Sequence, residues 1–308
     1  MIKKSQILVT LKKSNLHYFL LVLILMISTQ FTAFGVNLRG LSDEQNKHVI
    51  ILEPKAPKQG DTLSVKIQII ESDSGKPKVF FDKTKYEAFK INDNFYRAFV
   101  PLEANLSPGI HKLDIHYDNK ASYVDVNLGK TNYALEHLVL SKTASSLMVS
   151  RVERIKVGEA LSIKSDKKLW TGPFVYPSKA KKSTPYGKKR TFNGSLDPSY
   201  FHKGLDFAGK TGDPIYATED GKVILTGYNS NGFNVNGSCI FLDHGHGIVS
   251  AYLHLSSILV KEGDFIKKGQ LIGKTGSTGI ATGPHLHWGV YASGKPIDPE
   301  WWVSMAIE

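Results

Sequence analysis

Gly283-Pro284-His285-Leu286-His287-Trp288-Gly289 sets two histidines two residues apart in a run closed by glycines. In an extended strand, side chains at positions i and i+2 leave the same face, so both imidazoles can point into one site. Reading back toward the N-terminus, short apolar runs such as Cys239-Ile240-Phe241-Leu242 and Tyr252-Leu253-His254-Leu255 recur between glycines. Seventeen of the 27 glycines lie after residue 200, and that alternation is the pattern of an all-β domain. The C-terminal part of the chain therefore reads as a domain of its own.

Six of the eleven histidines also lie beyond residue 200. In His202-Lys203-Gly204-Leu205-Asp206, residues four apart share a face whether the stretch is extended or wound, and Gly204 weighs against a helix. Any one of these histidines alone would read as a hydrogen-bonded side chain in a turn-rich β domain. Several polar groups converging on one β face need a reason, and zinc supplies one. Catalytic zinc sites commonly take three protein ligands from His and Asp or Glu and leave the fourth tetrahedral position to water. His202, Asp206 and one histidine of the closing pair would fill that role. Asp243-His244-Gly245-His246-Gly247 holds a second His-x-His, but its glycines mark a hairpin turn. Gly269-Gln270-Leu271-Ile272-Gly273-Lys274-Thr275 has three residues between its glycines where a phosphate-binding loop has four, which argues against nucleotide binding.

With these motifs in place, residues from about 172 to 300 resemble the catalytic domain of the lysostaphin-type (LytM-type) zinc endopeptidases. The similarity runs through Gly204-Leu205-Asp206, Gly212-Asp213-Pro214-Ile215, Glu219-Asp220-Gly221-Lys222-Val223, Tyr252-Leu253-His254-Leu255-Ser256 and Thr282-Gly283-Pro284-His285-Leu286-His287. The resemblance implies a β-sheet groove that receives a wall peptide, one zinc ion per chain held by His202, Asp206 and His287, and His254 and His285 as non-ligand catalytic histidines. It implies hydrolysis of peptide crosslinks in bacterial peptidoglycan. The alternative within the same fold is a non-catalytic wall-binding or amidase-activating factor, but such proteins lack some ligands and here all five positions are filled. Some members place a tyrosine shortly before the first histidine, where this chain offers Tyr200. No His-Glu-x-x-His occurs, so no helix-borne glutamate base is present and proton handling falls to His254 and His285, whose ordinary pKa near 6.5 suits the task.

Residues 36–128 alternate apolar and polar side chains, as in Thr62-Leu63-Ser64-Val65-Lys66-Ile67-Gln68-Ile69, between turn residues such as Ser107-Pro108-Gly109. Strand lengths and spacing predict an immunoglobulin-like sandwich that positions the peptidase or touches the wall. Its His48, His111 and His116 lack ligand-like spacing. Residues 129–171 read as a linker with a short helix, on the spacing of Leu147, Met148, Val152 and Ile155. The segment from Ser178 to Arg190 crowds five lysines and an arginine around Pro185 and Gly187, the composition of a solvated loop or of a contact for an anionic polymer. The peptidase domain spans 172–308, and the fold as a whole is expected to be all-β.

Residues 1–35 join a basic start to an apolar stretch and the small-residue site Ala33-Phe34-Gly35, which reads as a secretory signal. Export to the periplasm, the envelope or the medium is the expectation, with inner-membrane anchoring if the segment stays uncleaved. No cysteine stands near that site, which argues against a lipid anchor of the lipoprotein kind. The formal charge of +11 falls to +7 without the four lysines of residues 1–35. A basic mature chain suits anionic partners without choosing among them, and no motif points to nucleic acid. Cys239 is the only cysteine, so no intrachain disulfide forms, and its apolar neighbours predict a packed thiol. Oligomeric state is not encoded in any pattern found.

Overall fold

Alternation of apolar side chains from Thr62 to Ile69 sends Leu63, Val65, Ile67 and Ile69 into one core, where each is buried. The computed structural model describes residues 48–70, 75–139, 147–196 and 200–305, within one compact unit, Val36–Glu308. The predicted secretory segment lies outside the described residues. Among the described residues, no helix is long and apolar enough to cross a membrane.

The first eight strands are β1 (His48–Glu53), β2 (Thr62–Ile69), β3 (Lys78–Phe81), β4 (Thr84–Tyr86), β5 (Phe89–Asn92), β6 (Phe95–Pro101), β7 (Gly109–Tyr117) and β8 (Lys120–Leu128). They form two antiparallel sheets, β1-β2-β6-β5 and β4-β3-β7-β8, packed on a shared apolar core. Two facing sheets in that order have the strand arrangement of an immunoglobulin-like sandwich. Two of its histidines are held by hydrogen bonds: Nε2 of His48 is 3.0 Å from the Ser122 hydroxyl, and His111 bonds Asp82 and the Ser107 carbonyl, while His116 is exposed beside Phe80.

The outer face of the first sheet is covered as well. Thr62 and Ser64 point away from the sandwich core yet are buried, and Thr62 Oγ1 accepts a hydrogen bond from Trp302 Nε1 at 3.1 Å. Phe99 packs edge-on against Trp302 and beside Trp170 and belongs to the core of the C-terminal part.

The following stretch holds β9 (Leu135–Leu138) and helix α1 (Arg151–Leu161). Leu147 and Met148 precede α1, and Val152 and Ile155 are 50% and 45% exposed, so the apolar spacing does not mark the buried face. That face is Glu153 and Ala160. Ser150 caps the helix by accepting from the Glu153 amide at 3.0 Å, as an N-cap serine does. The basic segment after Ser178 is not a solvated loop. It forms β10 (Lys181–Thr184) and β11 (Lys189–Phe192), and Lys182, Lys188 and Arg190 pair with Glu300 or Glu136. β11 runs parallel to β9 and antiparallel to β12 (Ser195–Leu196).

Strands β13 (Leu205–Ala208), β14 (Pro214–Tyr216), β15 (Gly221–Gly227), β16 (Ser238–Gly245), β17 (Ile248–Ile258), β18 (Phe265–Ile266), β19 (Leu271–Thr275), β20 (His285–Ala292) and β21 (Lys295–Ile297) complete the chain, with helix α2 (Pro299–Ser304) at its end. With β10 they build a ten-stranded sheet in which seven strands run in the order β10-β13-β20-β17-β16-β15-β18, while β21 pairs with β20, and β19 pairs with β17 and with β14. One face buries Leu205, Phe207, Tyr252, Leu286, Trp288 and Val290. The other buries Cys239, Phe241, Val249, Ala251 and Tyr291 against Ala160 of α1. Cys239 is fully buried, and burial pushes its thiol up to about 12, so it packs as an apolar side chain.

Candidate active site

Register places the site on that second face. β13 pairs with β20 so that Asp206 lies opposite His287, and β17 pairs with β20 so that Leu253 lies opposite His287. Side chains opposite one another in an antiparallel pair leave the same face, which sets Asp206 beside His287. His202 arrives from the loop before β13. Its backbone is pinned by His202 N to Lys188 O and Gly187 N to His202 O, both 2.8 Å. Gly204 lets the two segments close: a Cβ there would stand 2.4 Å from the Trp288 carbonyl oxygen and 2.7 Å from His287 Nε2.

Three atoms meet at this point. His202 Nε2 is 3.0 Å from Asp206 Oδ1 and 3.0 Å from His287 Nδ1, and the last two are 2.9 Å apart. All three residues are buried. Nδ1 of His202 donates to the Pro185 carbonyl at 2.9 Å, which leaves the Nε2 lone pair of the neutral ring aimed at the cluster. A lone pair and a carboxylate oxygen at 3.0 Å repel unless a cation or proton lies between them. One divalent ion would satisfy all three atoms at once, and two imidazoles with a carboxylate form a zinc-type donor set. Burial would raise the Asp206 pKa, but the hydrogen bonds and charges of His202 and His287 prevail and hold the carboxyl well below its usual range. Burial drives His287 down to about 4 despite its bond to Asp206. The other carboxylate oxygen, Asp206 Oδ2, is 3.4 Å from Arg190 Nη2, and Arg190 Nε donates to Glu136 at 3.0 Å.

His254 and His285 stand beside this cluster, outside it. Their rings lie 4.8 Å apart, and that of His254 is 6.1 Å from that of His287. Regular alternation from Tyr252 would turn His254 into the opposite core, where Leu255 is found instead. The register of β17 shifts against β16 here, between the Tyr252 and Leu255 pairs, and His254 has φ of +64°. This bulge re-aims the imidazole onto the site. His254 Nδ1 donates to the Thr278 carbonyl and His285 Nδ1 to the Gly283 carbonyl, each at 2.8 Å. With the ring proton at Nδ1, Nε2 of each ring is left as the acceptor. Burial, then the charges of His285 and His287, push His254 down to about 3, so it is uncharged at neutral pH.

All five predicted residues line one groove of about 1100 Å³, with Tyr200, Arg190 and Asn236 among its walls. His244 and His246 are elsewhere. His244 is buried between the Asp220 carbonyl and Ser250, and His246 occupies the hairpin turn at φ +52°. Arg190, Glu136 and Glu153 were not singled out from the sequence as parts of the site. Only Glu153 carried a local signal, its place three residues after Ser150.

A family model described as peptidase family M23 matches residues 200–299, the segment that holds all five residues. These residues are a peptidase M23 domain. Two curated relatives are similar over it. An uncharacterized metalloprotease of Haemophilus influenzae is 38% identical over 122 residues, 39% of this chain and 24% of that protein. The peptidoglycan DD-endopeptidase ShyA of Vibrio cholerae is 41% identical over 97 residues, 32% of this chain and 22% of that protein. The chain thus spans about a quarter of the length of the curated relatives it matches. A Pseudomonas aeruginosa crystal structure solved under the peptidase M23 label is 26% identical, covers 82% of this chain and 96% of that one, and superposes with a TM-score of 0.60. That likeness extends past the M23 domain and matches the all-β architecture.

Proposed function

We propose that this chain is an exported zinc metalloendopeptidase that hydrolyses peptide bonds of bacterial peptidoglycan. The observation that carries the reading is the meeting of His202 Nε2, Asp206 Oδ1 and His287 Nδ1 within 3.0 Å of one another, beside two further imidazoles on a groove. Relatives of the M23 domain named as peptidoglycan DD-endopeptidases support the substrate class. Export rests on the signal-like composition of residues 1–35.

His202, Asp206 and His287 would hold the zinc ion. Its chemistry is that of a Lewis acid, which acidifies water and polarises a carbonyl oxygen. Asp206 enters with its charge intact because two imidazoles and Arg190 surround it. The Pro185 carbonyl keeps the His202 proton on the far nitrogen. His254 and His285, each tied at Nδ1 to a backbone carbonyl, present Nε2 as the proton-handling atom. Between them they take a proton from the attacking water and return one to the leaving amine, as general base and general acid.

Elemental analysis and digestion of purified sacculi test this. His202→Ala or Asp206→Ala should lose both zinc and hydrolysis, and His285→Ala should keep zinc and lose turnover. Mass spectrometry of the released muropeptides identifies the bond cut. A wild-type chain that binds sacculi and zinc yet releases no peptide would replace this reading with the non-catalytic one.

A further inference from the structure

Glu153 lies in α1, outside the M23 domain, and is 2% exposed. Its carboxylate accepts three backbone N–H groups of one loop: Asn234 at 3.0 Å and Val235 at 3.1 Å on one oxygen, and Asn236 at 2.7 Å on the other. A carboxylate that takes three amides in a buried setting is a strong and specific anchor. The clamped loop leads to His254 by two routes. The Asn236 carbonyl accepts from the His254 amide at 3.0 Å, and the Val235 carbonyl accepts from the Ile280 amide at 2.9 Å. The second route fixes the segment whose Thr278 carbonyl receives the ring proton of His254.

The two loops are laced together. Ser238 N donates to Thr278 Oγ1 at 2.9 Å, and that hydroxyl donates to the Leu255 carbonyl at 3.0 Å. Gly237 and Gly279 allow the approach, since a Cβ on either would fall 2.4 Å from the facing loop. Such support matters because a non-glycine residue at φ +64° is strained and persists only where its surroundings over-determine it.

From this geometry we infer that Glu153 is a positioning residue for the reaction, holding the backbone and the ring of His254 through the 234–236 loop. The inference rests on the hydrolase reading above. It gives the helix ahead of the peptidase domain a catalytic purpose: that domain borrows from α1 the anchor that aims one of its histidines.

The test compares the full wild-type chain with Glu153→Gln, Glu153→Asp and, as a control on the exposed side of α1, Glu159→Gln. Amide hydrogen exchange is followed at Asn234, Val235, Asn236 and His254, beside zinc content, melting temperature and turnover on sacculi at saturating zinc. Glu153→Gln, which puts an NH₂ against the amides, should speed exchange at these four amides by about tenfold or more. It should lower kcat by a similar factor, with KM within about twofold and zinc still at one per chain. Glu153→Asp should recover part of both losses, and Glu159→Gln should change neither. Should Glu153→Gln fail to fold, Glu153→Asp provides the same readouts at an intermediate level. Unchanged exchange at residue 254, or a kcat loss matched by lost zinc, overturns the inference. A wild-type chain without turnover would sink the hydrolase reading instead, and the exchange data would still decide whether Glu153 holds His254.

Discussion

Asp206 must face in two directions: Oδ1 meets the two imidazoles, while Oδ2 faces Arg190 at 3.4 Å. Arg190 is in turn shared with Glu136, which also takes Lys188 at 2.8 Å. Glu136 therefore draws the guanidinium partly away from Asp206 and leaves more of that carboxylate's charge for an ion. In Glu136→Gln the guanidinium should lean on Asp206 more fully, and zinc affinity should fall by about tenfold, the lower end of what outer-shell partners contribute. Competition with a chelator of known affinity measures it, and an affinity equal to wild type would show Glu136 to be only a surface partner. The five residues that the structure brings to one groove stood out in the sequence as imidazoles and a carboxylate on a Gly-rich β scaffold, while their division into proposed ligands and proposed proton carriers came from the family resemblance. The groups that fix their tautomers did not stand out, because Pro185, Thr278 and Gly283 act through backbone carbonyls, which every residue carries.

At the level of elements, β13, β20 and the bulged β17 bring the site together, and Gly204 sets how closely the first two approach. Gly204→Ala adds a Cβ 2.4 Å from the Trp288 carbonyl and 2.7 Å from His287 Nε2, against backbone on one side and a buried ring on the other. The expected cost is about 1–3 kcal/mol of stability, as for overpacking a core, with zinc bound at less than one per chain. Urea unfolding and metal analysis of the same preparation report both, and a variant with full zinc and wild-type stability would mean that β20 yields easily. The sandwich and the strands after residue 200 were legible because period-two alternation is a local signal. β9 was not, since its partner β11 lies some fifty residues on and pairs in parallel, and it has only four residues. α1 was expected as a short helix, but its buried face was misjudged. Burial there is decided by Glu153 finding three amides, which an apolar-spacing argument cannot anticipate, although Ser-x-x-Glu at 150–153 is a helix-start pattern.

Over the whole molecule, the outer sheet of the sandwich and the M23 domain share a buried boundary whose polar groups titrate in opposite senses. His246 stacks on Phe89 at 4.7 Å and lies edge-on to Trp170. Burial, assisted by the charges of Arg97 and Lys168 against a bond to the Asp166 carbonyl, brings it down to about 4. Between pH 4 and its ordinary 6.5 the unfolded chain binds the extra proton, so this group makes stability fall as pH falls. Asp298 caps α2 by accepting from the Glu300 amide at 3.0 Å, and its own amide donates to the Gly60 carbonyl of the sandwich. Burial first, then the charges of Glu300 and Asp61, raise it to about 6 against that amide bond and Lys58. Its folded pKa exceeds its unfolded one, so the stability it lends is complete below about pH 3.9 and is lost as pH rises through 6. From pH 4 to 6 the two slopes oppose. Asp298→Asn keeps the capping oxygen, since Asn is as good a cap as Asp, and removes the charge. At pH 7.5 the variant should be more stable by on the order of 1–3 kcal/mol, a gain that vanishes near pH 4. Its own stability should then climb more steeply than that of the wild type from pH 4 to 6, because the slopes of His246 and of the other buried histidines, His254 and His287, are no longer offset by Asp298. Melting curves of both proteins across that range decide it: a constant offset, or a variant less stable at pH 7.5, would mean that the Asp298 carboxylate is solvated at the boundary and costs the fold nothing.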